Sequence, residues 1–163
     1  MLTYAIQDEY AAKAEYAAIM EAYGAILPYS NIVKAESRHI SALLPLFEAH
    51  DVGVPVDDAA SRVTVPGSLQ ESDEIDVEAE IRDNEMYESF LKEDLPEDVR
   101  IVFENKKRAS ESHPRAFENA SEGKVQRGMS RERKNPSASR SMARTAGPRF
   151  RNNFGDGTGE CIV

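Results

Sequence analysis

Five ionisable side chains fall on the apolar faces of the helices that this sequence predicts. They are Glu9, Glu36, His39, Glu80 and His113. Each is spaced by three or four residues from apolar neighbours, at positions where a helix buries its side chains. Burying an unpaired carboxylate costs much free energy, so a fold that encloses several of them must supply compensation. The pattern therefore favours helices that surround a shared polar site.

Apolar residues at helical spacing predict four helices. The predicted helices cover residues 2–23, 31–51, 68–93 and 96–117. Ser68 with Glu71 three residues later is typical of a capping box at a helix start. Residues 52–67 form a long connection between the second and third helices and suit a crossover. The predicted fold is all-α, a four-helix bundle with one long crossover.

Two prolines interrupt the predicted helices. Pro45 lies inside the second helix and Pro114 inside the fourth. Because proline lacks a backbone N–H and its ring clashes with the preceding turn, we expect a bend at both positions.

The two halves of the predicted bundle repeat each other. Glu9 is followed by Tyr16, and Glu80 by Tyr87, so that both pairs are related by an offset of 71 residues. Matching positions of an internal repeat can converge on one central site. The tyrosines could hydrogen-bond the carboxylates there, although core packing is the favoured explanation of both.

The histidines extend this repeat. His39 and His113 are related by an offset of 74 residues. A di-metal site in a four-helix bundle takes one Glu from each of two helices and Glu-x-x-His from each of the other two. The second helix contains Glu36-x-x-His39, whereas the fourth has Ser110 where a glutamate is expected.

A further carboxylate is needed to replace the missing glutamate of the fourth helix. Asp83, one turn after Glu80, could supply it, and Glu111 is the alternative. Oxygen ligands together with imidazole suit iron or manganese. The sequence thus predicts two divalent ions, iron before manganese, with no organic cofactor and no assigned catalytic residue. The predicted ligands are Glu9, Glu36, His39, Glu80, Asp83 and His113.

These segments resemble a known group of proteins. The matching stretches are Asp8-Glu9-Tyr10 through Tyr16, Pro28-Tyr29-Ser30-Asn31-Ile32, Ala35-Glu36-Ser37-Arg38-His39, Glu80-Ile81-Arg82-Asp83 and Ser110-Glu111-Ser112-His113-Pro114-Arg115-Ala116-Phe117. They resemble uncharacterised bacterial and archaeal ferritin-like proteins, which are distant relatives of rubrerythrin and bacterioferritin. The resemblance implies a di-metal four-helix bundle with Ser-x-x-His in the fourth helix and Glu-x-x-Asp in the third. Pro114 departs from it, since leucine is expected there.

Charge divides the chain into two regions. Residues 1–122 carry 26 acidic and 11 basic side chains, whereas residues 123–163 carry 3 acidic and 9 basic side chains. The second region lacks helical periodicity and is too polar to offset its ordering entropy. We therefore expect a bundle over residues 1–122 and a basic, disordered tail over residues 123–163.

Other features concern the cellular setting. No run of 18 apolar residues predicts a membrane span, and residues 1–10 do not resemble a signal peptide. Cys161 is the single cysteine, so neither an intramolecular disulfide nor a rubredoxin-like four-cysteine centre is expected. A cytoplasmic protein is the simplest interpretation.

Two functional hypotheses follow. The first is an oxidoreductase or metal-handling protein whose bound iron reacts with oxygen or peroxide, with metal ions and a small oxidant as its partners. The alternative is a non-catalytic helical-bundle binding module with a vestigial metal site. Its basic tail would contact nucleic acid or an acidic partner. Nucleic acid is the less favoured of these partners. The sequence is also compatible with a homodimer.

Overall fold

The computed structural model describes residues 1–124, and these residues form helices and connecting loops without a β-strand. The predicted all-α class is confirmed for this part of the chain. Its α-helices are α1 (Leu2–Tyr23), α2 (Tyr29–Ala49), α3 (Leu69–Phe90), α4 (Glu97–Ser110) and α5 (His113–Ser121). Within residues 1–124 no helix has the length and apolar character needed to cross a membrane. From residue 125 onward, the predicted tail lies outside the described residues.

The helices pack mainly in two sets. α1 packs along α2, while α3 packs along α5 and α4, and smaller contacts join α1 to α3 and α2 to α4. The connection between α2 and α3 contains a short 3₁₀ turn, Ala59–Ser61, that packs on α1 through the buried Ala59.

Two hydrophobic clusters lie along these helices. The first is centred on Phe47, Tyr87 and Phe103. The second is centred on Tyr16, Tyr29 and Phe117. α1, α2 and α3 contribute to both clusters, α4 contributes to the first and α5 to the second. Glu36, His39, Glu80 and His113 occur in the sequence between residues of one cluster and residues of the other. Apolar packing on either side thus fixes the polar side chains in position.

The two internal prolines have different outcomes. α2 continues through Pro45. The predicted fourth helix is instead divided, because α4 ends at Ser110 and α5 begins at His113. Pro114 is the second residue of α5, where the helix needs no intrahelical N–H donor. The break therefore accommodates proline and makes His113 the first residue of a new helix.

The buried face of α3 differs from the predicted one. Helical spacing predicts Ile81 on the same inner face as Val77 and Glu80, yet Ile81 is 43% exposed. The residues that α3 buries are Ser72, Asp73, Asp76, Glu80 and Tyr87. Acidic residues occur on both faces of this helix, so its few apolar residues are a weak guide to orientation.

The predicted cap of α3 is present. The Ser68 hydroxyl accepts a hydrogen bond from the Glu71 backbone N–H at 3.2 Å. The Glu71 carboxylate in turn accepts from the backbone N–H of Gly67 at 3.0 Å, one residue before the position that a capping box uses. Both bonds satisfy N–H groups that lack a partner in the helix.

Replacing Ser68 with alanine is expected to lower the free energy of unfolding by about 0.5–2 kcal/mol, since the cap hydrogen bond is lost. Urea unfolding followed by circular dichroism measures this change. Ser89→Ala is the matched control, because Ser89 is exposed and lies near the other end of α3. Equal losses in the two variants would contradict a specific capping role.

Candidate metal centre

Five of the six predicted ligand residues meet in one buried cluster, called here the polar cluster. Each of them is at most 7% exposed. α1 provides one glutamate, α2 a glutamate and a histidine, α3 a glutamate, and the start of α5 a histidine. The members of the polar cluster are Glu9, Glu36, His39, Glu80 and His113.

Glu36 lies between the two histidines. Its Oε2 is 2.8 Å from Nδ1 of His39, and its Oε1 is 3.5 Å from Nδ1 of His113. The imidazole rings are 6.3 Å apart between centroids. Oε1 of Glu36 is buried but accepts no hydrogen bond from the part of the chain that the structure describes. One carboxylate therefore faces both histidines and keeps one oxygen available.

The outer glutamates each face one histidine. Oε2 of Glu9 is 3.2 Å from Nδ1 of His39, and Oε2 of Glu80 is 3.1 Å from Nδ1 of His113. Two overlapping groups result, each with potential ligand atoms within 4.8 Å of one another. We call Glu9, Glu36 and His39 the Glu9 group, and Glu36, Glu80 and His113 the Glu80 group.

Two tyrosines connect the halves of the cluster. Tyr16 of α1 donates a hydrogen bond to Oε1 of Glu80 on α3 at 2.7 Å. Tyr87 of α3 donates to Oε1 of Glu9 on α1 at 3.4 Å. Burial and the nearby carboxylates raise the pKa of both phenols, so both keep their protons. Each outer glutamate thus has one oxygen bound by tyrosine and the other directed to histidine.

Charge in the cluster also affects His113. Burial opposes its charged form, but the hydrogen bond that its ring donates to Glu80 and the charges of Glu80 and Glu36 outweigh that effect and raise the pKa of His113. A metal ion on this nitrogen would have to displace the proton that the carboxylates stabilise.

The sixth predicted ligand, Asp83, belongs to neither group. Its carboxyl faces Asp8, and burial together with the Asp8 charge raises the pKa of Asp83 to about 9. The alternative replacement, Glu111, is exposed and pairs with Lys107 at 2.9 Å. Neither residue lies in the two groups, and which carboxylate replaces the glutamate missing at Ser110 stays a prediction.

A cavity of about 90 Å³ adjoins the polar cluster. Asp8, Glu15 and Asp83 line it together with the three glutamates of the cluster. Such a space admits a small ion or a molecule the size of oxygen or peroxide. Its acidic lining attracts cations.

Lys106 is a member of the site that the sequence analysis missed. Its side chain is 2% exposed, and its ammonium forms an ion pair with Oε1 of Glu9. It also donates to the Tyr87 hydroxyl at 2.6 Å. Burial lowers the pKa of Lys106 to about 7, partly opposed by the charge of Asp8. The signal was available, since Lys106 follows Phe103 by three residues on the buried face of α4.

A second group of buried acids was missed on α3. The Tyr29 hydroxyl is 3.0 Å from Oδ1 of Asp73 and 2.8 Å from Oδ2 of Asp76. Burial raises the pKa of Asp76 to about 8. A phenol has one proton to donate, so a protonated Asp76 accounts for the second short contact. Spacing from Glu80 by four and seven residues would have placed both aspartates on the inner face.

Comparison of the chain with protein-family profiles, with curated proteins and with solved structures finds no match. The resemblance to ferritin-like proteins stays a prediction. What the site can do is therefore inferred from its own side chains.

Proposed function

We propose that residues 1–124 form a ferritin-like four-helix bundle, with α4 and α5 together as its fourth helix, that binds divalent metal in the polar cluster. Two ions are proposed, with iron preferred and manganese second. The activity proposed is that of a cytoplasmic oxidoreductase or metal-handling protein in which the bound metal reacts with oxygen or peroxide.

The observation that carries this proposal is Oε1 of Glu36. A buried carboxylate oxygen without a hydrogen bond is costly, and such atoms are rare in folded proteins. A cation next to this oxygen would compensate it. The same cation would lie close to His113 and Glu80, whose ligand atoms are within 4.8 Å of the Glu36 carboxylate.

The donor chemistry supports the choice of metal. Carboxylate oxygens and imidazole nitrogens, with no thiolate in the polar cluster, suit iron and manganese. Three glutamates gathered in a buried place repel one another, and divalent ions would neutralise that repulsion. The shared carboxylate of Glu36 is suited to bridge two ions.

The surrounding residues would orient and protect the ions. The hydrogen bonds from Tyr16 and Tyr87 fix one oxygen of each outer glutamate. Hydrophobic clusters on both sides limit water. Bound iron would supply electrons to the oxidant: reduction of peroxide to two waters takes two electrons and two protons. The cavity of about 90 Å³ has room for that oxidant but not for a large substrate.

The test is a thermal melt with and without metal. Iron(II) without oxygen, or manganese(II), is expected to stabilise the folded protein by about 2.7 kcal/mol at a hundredfold excess over the dissociation constant. Glu36→Ala should lose most of this effect because it removes the shared ligand. Glu48→Ala is the matched control, since Glu48 is an exposed glutamate on the same helix.

The opposite result is equally defined. If neither ion moves the melt of the wild-type protein, the metal proposal is wrong. The bundle would then be a scaffold for the basic tail, as the alternative hypothesis states.

A further inference from the structure

One half of the polar cluster already contains a cation that belongs to the protein. Lys106 of α4 forms an ion pair with Oε1 of Glu9 and donates to the Tyr87 hydroxyl at 2.6 Å. Its ammonium also lies 4.3 Å from the centroid of the Tyr87 ring, a favourable cation–π contact. The Glu9 group is therefore partly neutralised by the chain itself.

Within residues 1–124 the Glu80 group pairs with no lysine, and its cationic partners are His113 and His39, which are themselves proposed ligands. By the offset of 74 residues that relates the histidines, Lys106 matches Ile32 in the other half of the chain. Ile32 is buried in the second hydrophobic cluster with Tyr16. Tyr16 therefore bonds Glu80 without a lysine beside it, whereas Tyr87 bonds Glu9 with one. Among the described residues, only the Glu9 group therefore carries a lysine.

We propose that Lys106 is a displaceable internal cation that makes the two metal positions unequal. This inference rests on the proposed metal binding. The Glu80 group takes the first ion tightly. A second ion in the Glu9 group must compete with the ammonium for the Glu9 carboxylate, because two cations close to one carboxylate repel each other. The second ion therefore binds more weakly.

Space for a displaced Lys106 side chain lies next to the polar cluster. A surface cavity of about 230 Å³ lies beside it, lined by Arg38, His39, Ala42, Val102, Asn105 and Lys106 itself. A lysine side chain is long and flexible enough to place its ammonium in such a space. When Lys106 leaves the cluster, its contacts with Glu9 and Tyr87 are lost. This loss weakens the binding of the second ion and does not affect the first.

The experiment is an anaerobic calorimetric titration of the full-length, metal-free protein with manganese(II), with elemental analysis of the loaded protein. The wild-type protein should show two steps whose Kd values differ at least tenfold. Lys106→Met, which keeps the length of the apolar stem, should reduce the ratio of the two Kd values at least tenfold. Lys107→Met is the matched control, because it removes the same charge from an ammonium that pairs with the exposed Glu111.

The outcomes separate this inference from the proposed function. Two equal steps in the wild-type protein, or an unchanged ratio in Lys106→Met, would overturn the role of Lys106 and leave metal binding intact. If manganese(II) bound only to Lys106→Met, the inference that the first ion binds without displacing Lys106 would be wrong. Absence of binding in every variant would overturn the proposed function, and this inference with it.

A second variant applies if Lys106→Met does not fold. Glu9→Gln removes the carboxylate for which ion and lysine compete, so it should abolish the weak step and leave the Kd of the tight step within about threefold. Glu80→Gln should abolish the tight step and leave the weak step. A tight step that weakens equally in both variants would overturn the assignment of the two positions.

Discussion

Replacing Phe117 with alanine is expected to lower the free energy of unfolding by about 3–5 kcal/mol, the usual cost of deleting a buried phenylalanine side chain. Phe117 is fully buried, and its ring centroid lies 5.4 Å from that of Tyr16 and 5.2 Å from that of Tyr29. It is the large apolar side chain that α5, a helix of 9 residues, buries in the core. So short a helix is not stable by itself and depends on this anchor.

The measurement is guanidinium unfolding followed by circular dichroism in the presence of a chelator. Glu118→Ala, an exposed position next in the same helix, should change the free energy of unfolding by less than about 0.5 kcal/mol. Because α5 begins with His113, the Phe117 variant should also bind manganese(II) more weakly. A loss below about 1 kcal/mol would show that α5 does not depend on this contact.

Asp76→Asn is expected to stabilise the metal-free protein at pH 8 by about 3–5 kcal/mol and to change little at pH 4. Burial raises the pKa of Asp76 from 3.8 to about 8. An acid with a raised pKa in the folded state stabilises that state below its ordinary pKa, and the contribution is lost as the pH rises to about 8. Each pKa unit is worth about 1.4 kcal/mol.

The direction of the pKa shift follows from the surroundings of Asp76. Asp73, Glu15 and Glu80 are acidic and oppose its ionisation, while the Tyr29 hydroxyl favours it only in part. Asparagine cannot ionise, so the variant lacks this one loss of stability, while the titrations of other groups such as Asp83 are common to both proteins. The difference between wild-type and variant unfolding free energies at each pH therefore isolates one titration.

Glu74→Gln serves as the control, because Glu74 is exposed two residues earlier on α3. Its stability relative to the wild type should not depend on pH between 4 and 8. If the stability of Asp76→Asn relative to the wild type were also independent of pH, Asp76 would be ionised in the folded protein over this range. The raised pKa of Asp76 would then be wrong.

Periodicity predicted which helices exist but not all of their boundaries. α1 and the cap of α3 were predicted correctly, because apolar spacing and the Ser68–Glu71 pair are strong local signals. The division at Pro114 was predicted as a kink. A proline is compatible with either outcome, and tertiary packing of α5 through Phe117 determines which occurs.

The polar cluster was predicted to the extent that its members interrupt apolar faces. Glu9, Glu36 and His39 interrupt helices whose other inward residues are apolar, so they were conspicuous. Lys106 follows the same spacing but was missed because lysine is typical of exposed faces. Asp73 and Asp76 were missed because α3 is acidic on every side, and charge patterning there does not distinguish inside from outside.

The reciprocal tyrosine–glutamate bonds have a consequence for cooperativity. Tyr16 donates to a glutamate of α3, and Tyr87 donates to a glutamate of α1, so neither half of the sequence contains the tyrosine donor of its own buried carboxylate. If one half were to open alone, the other would keep an ionised group in an apolar setting without its donor. Partial unfolding is thus penalised on both sides, and α1 and α3 gain and lose their structure together as a single cooperative unit.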